Sequence, residues 1–207
     1  MFEHGRIGGT LWNACWVENY PGFPGGISGR NLAALMEEHL LEYVDNVIIG
    51  TVEEVAFAEG KFRIKGLEFD GGILCTGTSP RKALFQGEDE LAAARHLWYG
   101  IAEMDRWGSP ESAAVIGGGE ASIDMALTLA EEGCKVTLID RSEPNANKSL
   151  MDQARDEGNI AWLASPVKGG RMHGNTAVLA VEGQELAFDL LVVSVGREPR
   201  LPAFKGF

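Results

Sequence analysis

The chain lacks paired cysteines, long apolar runs and a surplus of positive charge. Cys15, Cys75 and Cys134 stand 60 and 59 residues apart. An odd, dispersed set signals neither a disulfide framework nor a zinc site, so the three read as small buried hydrophobes in a reducing compartment, and no metal is expected. No apolar run approaches the roughly 18 residues that span a bilayer, and no basic-then-apolar leader opens the chain. A soluble, cytoplasmic protein without a membrane partner is therefore expected. Lys and Arg number 18 against 30 Asp and Glu, for a formal charge of −12. Nucleic acids and anionic membranes both require a basic patch, so this balance argues against them as partners. The 207 residues allow one or two domains with a real core.

What is present is organised around Ala113-Ala114-Val115-Ile116-Gly117-Gly118-Gly119-Glu120-Ala121-Ser122. A short apolar run enters three glycines, and Glu120 to Glu132 follows without Pro or Gly, with Ile123, Ala126, Leu127 and Ala130 on one helical face. Strand, tight turn and helix are predicted. In G-x-G-x-x-[GA], Gly117 takes the sharp turn, Gly119 lets backbone approach a pyrophosphate, and Ser122 holds the third place, where a small residue lets helix pack on strand. Gly133 suits a left-handed helix cap. Lys135 to Asp140 reads as the next strand, ending on an acid 23 residues after Gly117. A carboxylate at about that spacing takes the ribose hydroxyls of a dinucleotide.

The chain also repeats itself. Phe69 to Arg81 lies on Phe188 to Arg200 without a gap at an offset of 119, with Phe-Asp, two apolar residues, Gly and Pro-Arg coinciding. A strand meander precedes each copy: Val52 to Phe57, Lys61 to Ile64 and Leu67 to Phe69 in the first, Thr176 to Val181 and Glu185 to Phe188 in the second. The expected fold is therefore α/β, with two tandem Rossmann-like, three-layer nucleotide-binding units. Placing Glu3 on Asp140 puts the first unit's glycine turn before residue 1. That unit is thus expected to lack its opening strand, turn and helix. Ser28 is expected to cap a helix from about Arg30 to Tyr43 that packs through Leu32, Leu35, Met36, His39 and Leu40.

Gly8-Gly9-Thr10, Val17 to Pro24, Ile27-Ser28-Gly29, Gly50-Thr51-Val52, Thr76 to Lys82, Val115 to Gly119 and Val136 to Ile139 together resemble thioredoxin reductase and its flavoprotein relatives, in order and over nearly the whole chain. The resemblance implies residues 1–82 as a partial FAD-binding domain and 83–207 as an NAD(P)-binding domain. It implies that Glu3 meets the FAD ribose, that Gly8, Gly9, Thr10 and Asn19 line the flavin site, that Val52 lies near the adenine and that Thr76-Gly77 closes over the cofactor. Gly117, Gly118, Gly119, Glu120, Ala121, Ser122, Asp140, Arg141, Val195 and Gly196 would hold the nicotinamide nucleotide.

The resemblance has departures. The family's C-x-x-C lies between the threonine-glycine turn and the second fingerprint, yet Ala83 to Ser112 contains no cysteine. Without it, electrons cannot follow the family's dithiol route. Where thioredoxin reductases carry H-R-R for a 2′-phosphate, this chain has Asp140-Arg141-Ser142, and a carboxylate repels that phosphate. NAD(H) is expected over NADP(H), with Arg141 as the opposing residue. The family's later flavin-gripping segment is not in the sequence.

The resulting expectation is an NAD(P)H-dependent flavin oxidoreductase with hydride transfer between nicotinamide and FAD, and a small molecule or protein as electron acceptor. A homo-oligomer or a completing partner chain is expected to cover the incomplete first unit. The alternative is a non-catalytic nicotinamide-nucleotide-binding module or a fragment of a longer flavoprotein. No catalytic residue is assigned. Glu103 and Asp105 are candidates for a proton relay, and Trp98, Tyr99 and Trp107 for stacking, against plainer roles in a loop and in packing.

Overall fold

The structure is a computed structural model and describes residues 1–101 and 108–207. Glu103, Asp105 and Trp107 lie outside the described residues.

The first unit is made of short strands around one helix. β1 (Phe2–Glu3) precedes a 3-10 turn at Gly9–Asn13, then β2 (Trp16–Val17), β3 (Ile27–Ser28), α1 (Gly29–Leu41) and β4 (Ile48–Ile49). β1 and β4 pair in parallel, and β2 and β3 antiparallel. Ser28 caps α1 by accepting from the Asn31 amide at 3.2 Å, as its side chain suits. The helix sits close on the 3-10 turn: a Cβ on Gly8 would stand 2.8 Å from the Ala33 Cβ. Of the expected packing stripe Leu32 is buried, joined by Ala33, while Leu35 and His39 are exposed. The 3-10 turn covers the Ala33 side of the helix, and His39 instead stands edge-on to the Tyr43 ring with 5.4 Å between centroids. β5 (Glu54–Ala58), β6 (Lys61–Ile64) and β7 (Leu67–Phe69) form an antiparallel meander, and β8 (Thr78–Pro80) follows an extended stretch.

The second unit continues through α2 (Glu88–Ala93), β9 (Leu97–Trp98), β10 (Ser112–Ile116), α3 (Glu120–Glu131), β11 (Lys135–Asp140), α4 (Lys148–Asp156), β12 (Ile160–Ala164), β13 (Gly169–His173), β14 (Thr176–Val181), β15 (Gln184–Phe188) and β16 (Leu190–Val193). Its sheet is parallel, in the order β12-β11-β10-β16-β9. A parallel sheet covered on both faces reads as nearly continuous apolar sequence, each residue taking the face its parity dictates. Ala113, Val115, Val136, Leu138, Leu190 and Val192 pack under α3 and α4. Ala114, Ile116, Ile139, Leu191 and Val193 pack against α2 and the antiparallel meander β13-β14-β15. Trp98 also packs at the margin of the helical face, and Tyr99 at that of the meander face, which gives both aromatics a packing role.

The chain then returns to the first unit. β17 (Arg197–Pro199) pairs antiparallel with β8, and β18 (Ala203–Lys205) pairs in parallel with β5. This departs from assigning everything after residue 82 to the second unit.

The two copies of the repeat end differently. Val192 is fully buried in β16, between β10 and β9, whereas its counterpart Ile73 is 94% exposed and residues 71–77 form no strand. Among the described residues no strand flanks that segment, and a lone strand cannot satisfy its backbone. Cys75 is consequently exposed, which corrects its reading as a buried hydrophobe; Cys134 is buried and Cys15 half-buried.

Glu88 ties the link between the units. It is 3% exposed, accepts from the Ala83 and Leu84 amides at 2.9 and 2.6 Å, and takes the Tyr99 hydroxyl at 2.8 Å. Burial and the neighbouring carboxylate push the Tyr99 phenol above its ordinary value, so it stays a donor. Glu88→Ala would leave three part-buried donors without their acceptor, and urea unfolding is expected to show a loss of about 1–3 kcal/mol. A loss below about 1 kcal/mol would mean that water replaces the carboxylate.

Candidate functional site

β10 ends into the three glycines, and each is small for a different reason. Gly117 has φ +134, and a Cβ there would overlap the Ser194 carbonyl oxygen at the end of β16. Its amide donates to the Ile139 carbonyl at 2.8 Å, fixing the turn to β11. A Cβ on Gly118 would stand 2.5 Å from the Asp140 carboxylate. Gly119 is the residue before α3, in extended backbone, and a Cβ there would meet nothing within 4 Å. Open space thus stands over the amino end of α3, whose first amides and dipole favour an anion.

Ser122 explains its own departure from the small-residue pattern. It is fully buried, and its hydroxyl donates to the Ser194 carbonyl at 2.9 Å, joining α3 to the end of β16. Asp140 ends β11, where its carboxylate accepts from the Ser142 hydroxyl at 3.1 Å. The loop after it folds back over the turn: Asn145 donates its amide to the Gly118 carbonyl at 2.8 Å. Asn147 caps α4 by accepting from the Leu150 amide at 3.0 Å and donates from its side chain to Glu120 at 3.1 Å. Asn147 is a residue type suited to a helix start, which is the sequence signal for its place here.

A cleft of about 750 Å³ opens over this turn. Gly117, Gly118, Gly119, Asp140, Arg141, Val195 and Gly196 line it, so seven of the ten residues expected at the nicotinamide nucleotide stand together. Glu120 points to Asn147, Ser122 lies beneath the turn, and Ala121 faces a second cleft. Arg81, Lys82, Phe85 and Ser165 also line the main cleft, and none of these was expected.

The residues expected at the flavin are placed less compactly. Glu3 ends β1 and accepts from the Gly5 amide at 3.0 Å. Its carbonyl takes the Gly50 amide at 2.7 Å, which brings it near Val52 in the following loop. Gly8 has φ +96 and starts the 3-10 turn that contains Gly9 and Thr10. Asn19 lies in the second cleft, with Trp16, Glu120, Ala121 and Asp124. Thr76 and Gly77 sit in the exposed stretch before β8, where the Gly77 carbonyl accepts from the Arg200 amide at 3.0 Å.

Cys15 meets α3. Its amide donates to Asp124 at 3.2 Å and its thiol to Glu131 at 3.6 Å. Burial, with the nearby Glu131 and Asp124 charges, pushes the thiol's pKa up, which opposes thiolate chemistry. Burial raises Cys134 to about 11. Among the described residues no cluster of three or more His, Cys, Asp or Glu could hold a metal ion, and no helix is long and apolar enough to cross a membrane.

Residues 4–205 match the family model described as pyridine nucleotide-disulphide oxidoreductase. Against the thioredoxin reductase of Peptoclostridium acidaminophilum the chain is 31% identical over 226 residues, covering all of this chain and 71% of that protein. Against the bifunctional thioredoxin reductase/thioredoxin of Mycobacterium leprae it is 30% identical, covering 97% of this chain but 46% of that protein. The Lactococcus lactis thioredoxin reductase in its FR conformation superposes with a TM-score of 0.81 at 27% identity, over 96% of this chain and 69% of that one.

Proposed function

The chain belongs to the pyridine nucleotide-disulphide oxidoreductase family, and on that premise we propose that it carries the nicotinamide-nucleotide site of an FAD-dependent oxidoreductase of thioredoxin-reductase type, with hydride transfer between nicotinamide and flavin. The observation that carries this reading is the open space over Gly119 at the start of α3, with Asp140 beside Gly118 in the same cleft. A pyrophosphate fits over Gly117 to Gly119 and the α3 amides, and Ser122 holds the turn in shape. The backbone amides of Glu120 and Ala121, in the first turn of α3, would complete the phosphate end, with the Glu120 side chain turned to Asn147 and Ala121 facing the second cleft. Asp140 would accept from the ribose diol, while Val195 and Gly196, which follow the Ser194 carbonyl packed on Gly117, would line the cleft beside the glycine turn.

The diol at Asp140 favours NADH over NADPH, because two negative groups would otherwise meet there. Arg141 is the nearby cation that opposes this choice. Residues 1–82 are assigned to FAD: Glu3 to its ribose, Gly8, Gly9, Thr10 and Asn19 to the ring, Val52 to the adenine, and Thr76-Gly77 to closing the site. Bound FAD supplies the electron-accepting ring, and the protein supplies position and electrostatics. With no cysteine between residues 83 and 112, electrons leave by another route than a vicinal dithiol, to a small molecule or a protein. A homodimer or a completing chain would cover the exposed first unit.

The test is absorption after mixing the purified protein with FAD and removing free cofactor. A band at about 450 nm that bleaches when NADH is added without oxygen is expected. A colourless protein that still binds NADH would replace this reading with a nicotinamide-nucleotide-binding module, an outcome that the bare Ile73 segment favours.

A further inference from the structure

The two repeats meet about a local two-fold axis. In the β8–β17 ladder Thr78 pairs with Pro199, Ser79 with Glu198 and Pro80 with Arg197. With the offset of 119, Thr78 corresponds to Arg197, Ser79 to Glu198 and Pro80 to Pro199. Each copy of the segment therefore pairs with the other about the central Ser79–Glu198 pair. The flanking bonds obey the same symmetry: the Arg81 amide donates to the Gly196 carbonyl at 3.0 Å, and the Arg200 amide to the Gly77 carbonyl at 3.0 Å. The exchange sets an arginine of the first unit at the lip of the second unit's cleft.

The side chains on the two sides differ. Arg200 donates to the Ser79 hydroxyl at 3.1 Å, and Arg197 to Thr78 at 2.7 and 2.8 Å. Arg81 lines the nucleotide cleft, its Cδ 4.0 Å from where a Gly196 Cβ would stand, and among the described residues it makes no ion pair or side-chain hydrogen bond. Lys82, the neighbouring cation, is held by Asp89 at 2.6 Å. Arg141 follows Asp140 on the β11 side of the glycine turn, whereas Arg81 stands over Gly196 on the β16 side.

A dinucleotide brings two phosphate charges to a chain whose formal charge is −12. The turn amides contribute only partial charge, so a full cation at the phosphate end has a large effect on affinity. We infer that Arg81, supplied across the symmetric crossover from outside the nucleotide-binding unit, is a binding residue for the pyrophosphate of the nicotinamide nucleotide. This rests on the reading of the cleft as a nicotinamide-nucleotide site. It adds that the site is complete only when the two units are joined through β8 and β17.

The test compares the full chain with Arg81→Ala and Arg81→Lys, using NADH and ADP-ribose as pyrophosphate ligands and adenosine, measured by competition, as a ligand without phosphate. Arg81→Ala is expected to weaken NADH and ADP-ribose by about tenfold or more, to leave adenosine unchanged and to keep the unfolding midpoint. The gap should narrow as salt is raised, and Arg81→Lys should recover part of the loss. If the unsubstituted chain binds none of the three ligands, the proposed site itself fails. If it binds them and Arg81→Ala changes nothing, the site stands and Arg81 has no part in it. An equal loss for adenosine would show that Arg81 only shapes the cleft, which also overturns the inference.

Discussion

Gly117→Ala is expected to abolish NADH binding and to lower stability by about 2–4 kcal/mol. At φ +134 an alanine is strained whatever the space, and its Cβ would overlap the Ser194 carbonyl oxygen. To relieve that overlap, the end of β16 would have to leave both Gly117 and the Ser122 hydroxyl that holds it. Gly119→Ala gives the informative contrast. The backbone there is extended and the added methyl meets nothing, so the melting curve should not move. The same methyl enters the space assigned to the pyrophosphate, and NADH should bind about tenfold more weakly or worse. Melting curves and NADH titrations of both variants separate fold from site. A Gly119→Ala protein with native affinity would place the phosphates elsewhere.

Asp140→Ala is expected to weaken NADH by about 10- to 100-fold while weakening NADPH little, because a charge-assisted acceptor for the diol is lost. The carboxylate is held beside Gly118 and Ser142, so the effect should be local and the fold unchanged. Calorimetry with both nucleotides reads the ratio. If Arg141 governs the choice instead, the unsubstituted chain will already bind NADPH as tightly as NADH, and the substitution will change little.

The second unit was legible because each local signal agreed with its neighbours. The turn, the cap at Gly133, where φ is +89, and strand Lys135–Asp140 fall where glycine conformation and apolar run predict. α4 and β12 carry weaker signals: α4 is strongly polar and short, and Asn147 marks its start. β13 carries two glycines and pairs with β14 by register rather than by its own pattern. In the first unit, identical sequence logic met different surroundings. Ile73-Leu74 resembles Val192-Val193, yet the apolar run forms a strand only where β10 and β9 flank it. Arg81 illustrates the complementary limit. Pro-Arg occurs in both repeats, and which arginine faces a cleft depends on how β8 crosses β17, a contact across more than a hundred residues.

Calorimetric titration of the unsubstituted chain with NADH and NADPH at matched ionic strength decides whether the glycine turn between β10 and α3 holds a nicotinamide dinucleotide. One saturable NADH site per chain is expected, with NADPH weaker. No saturable binding of either nucleotide, or binding that survives intact in Gly119→Ala, would contradict it.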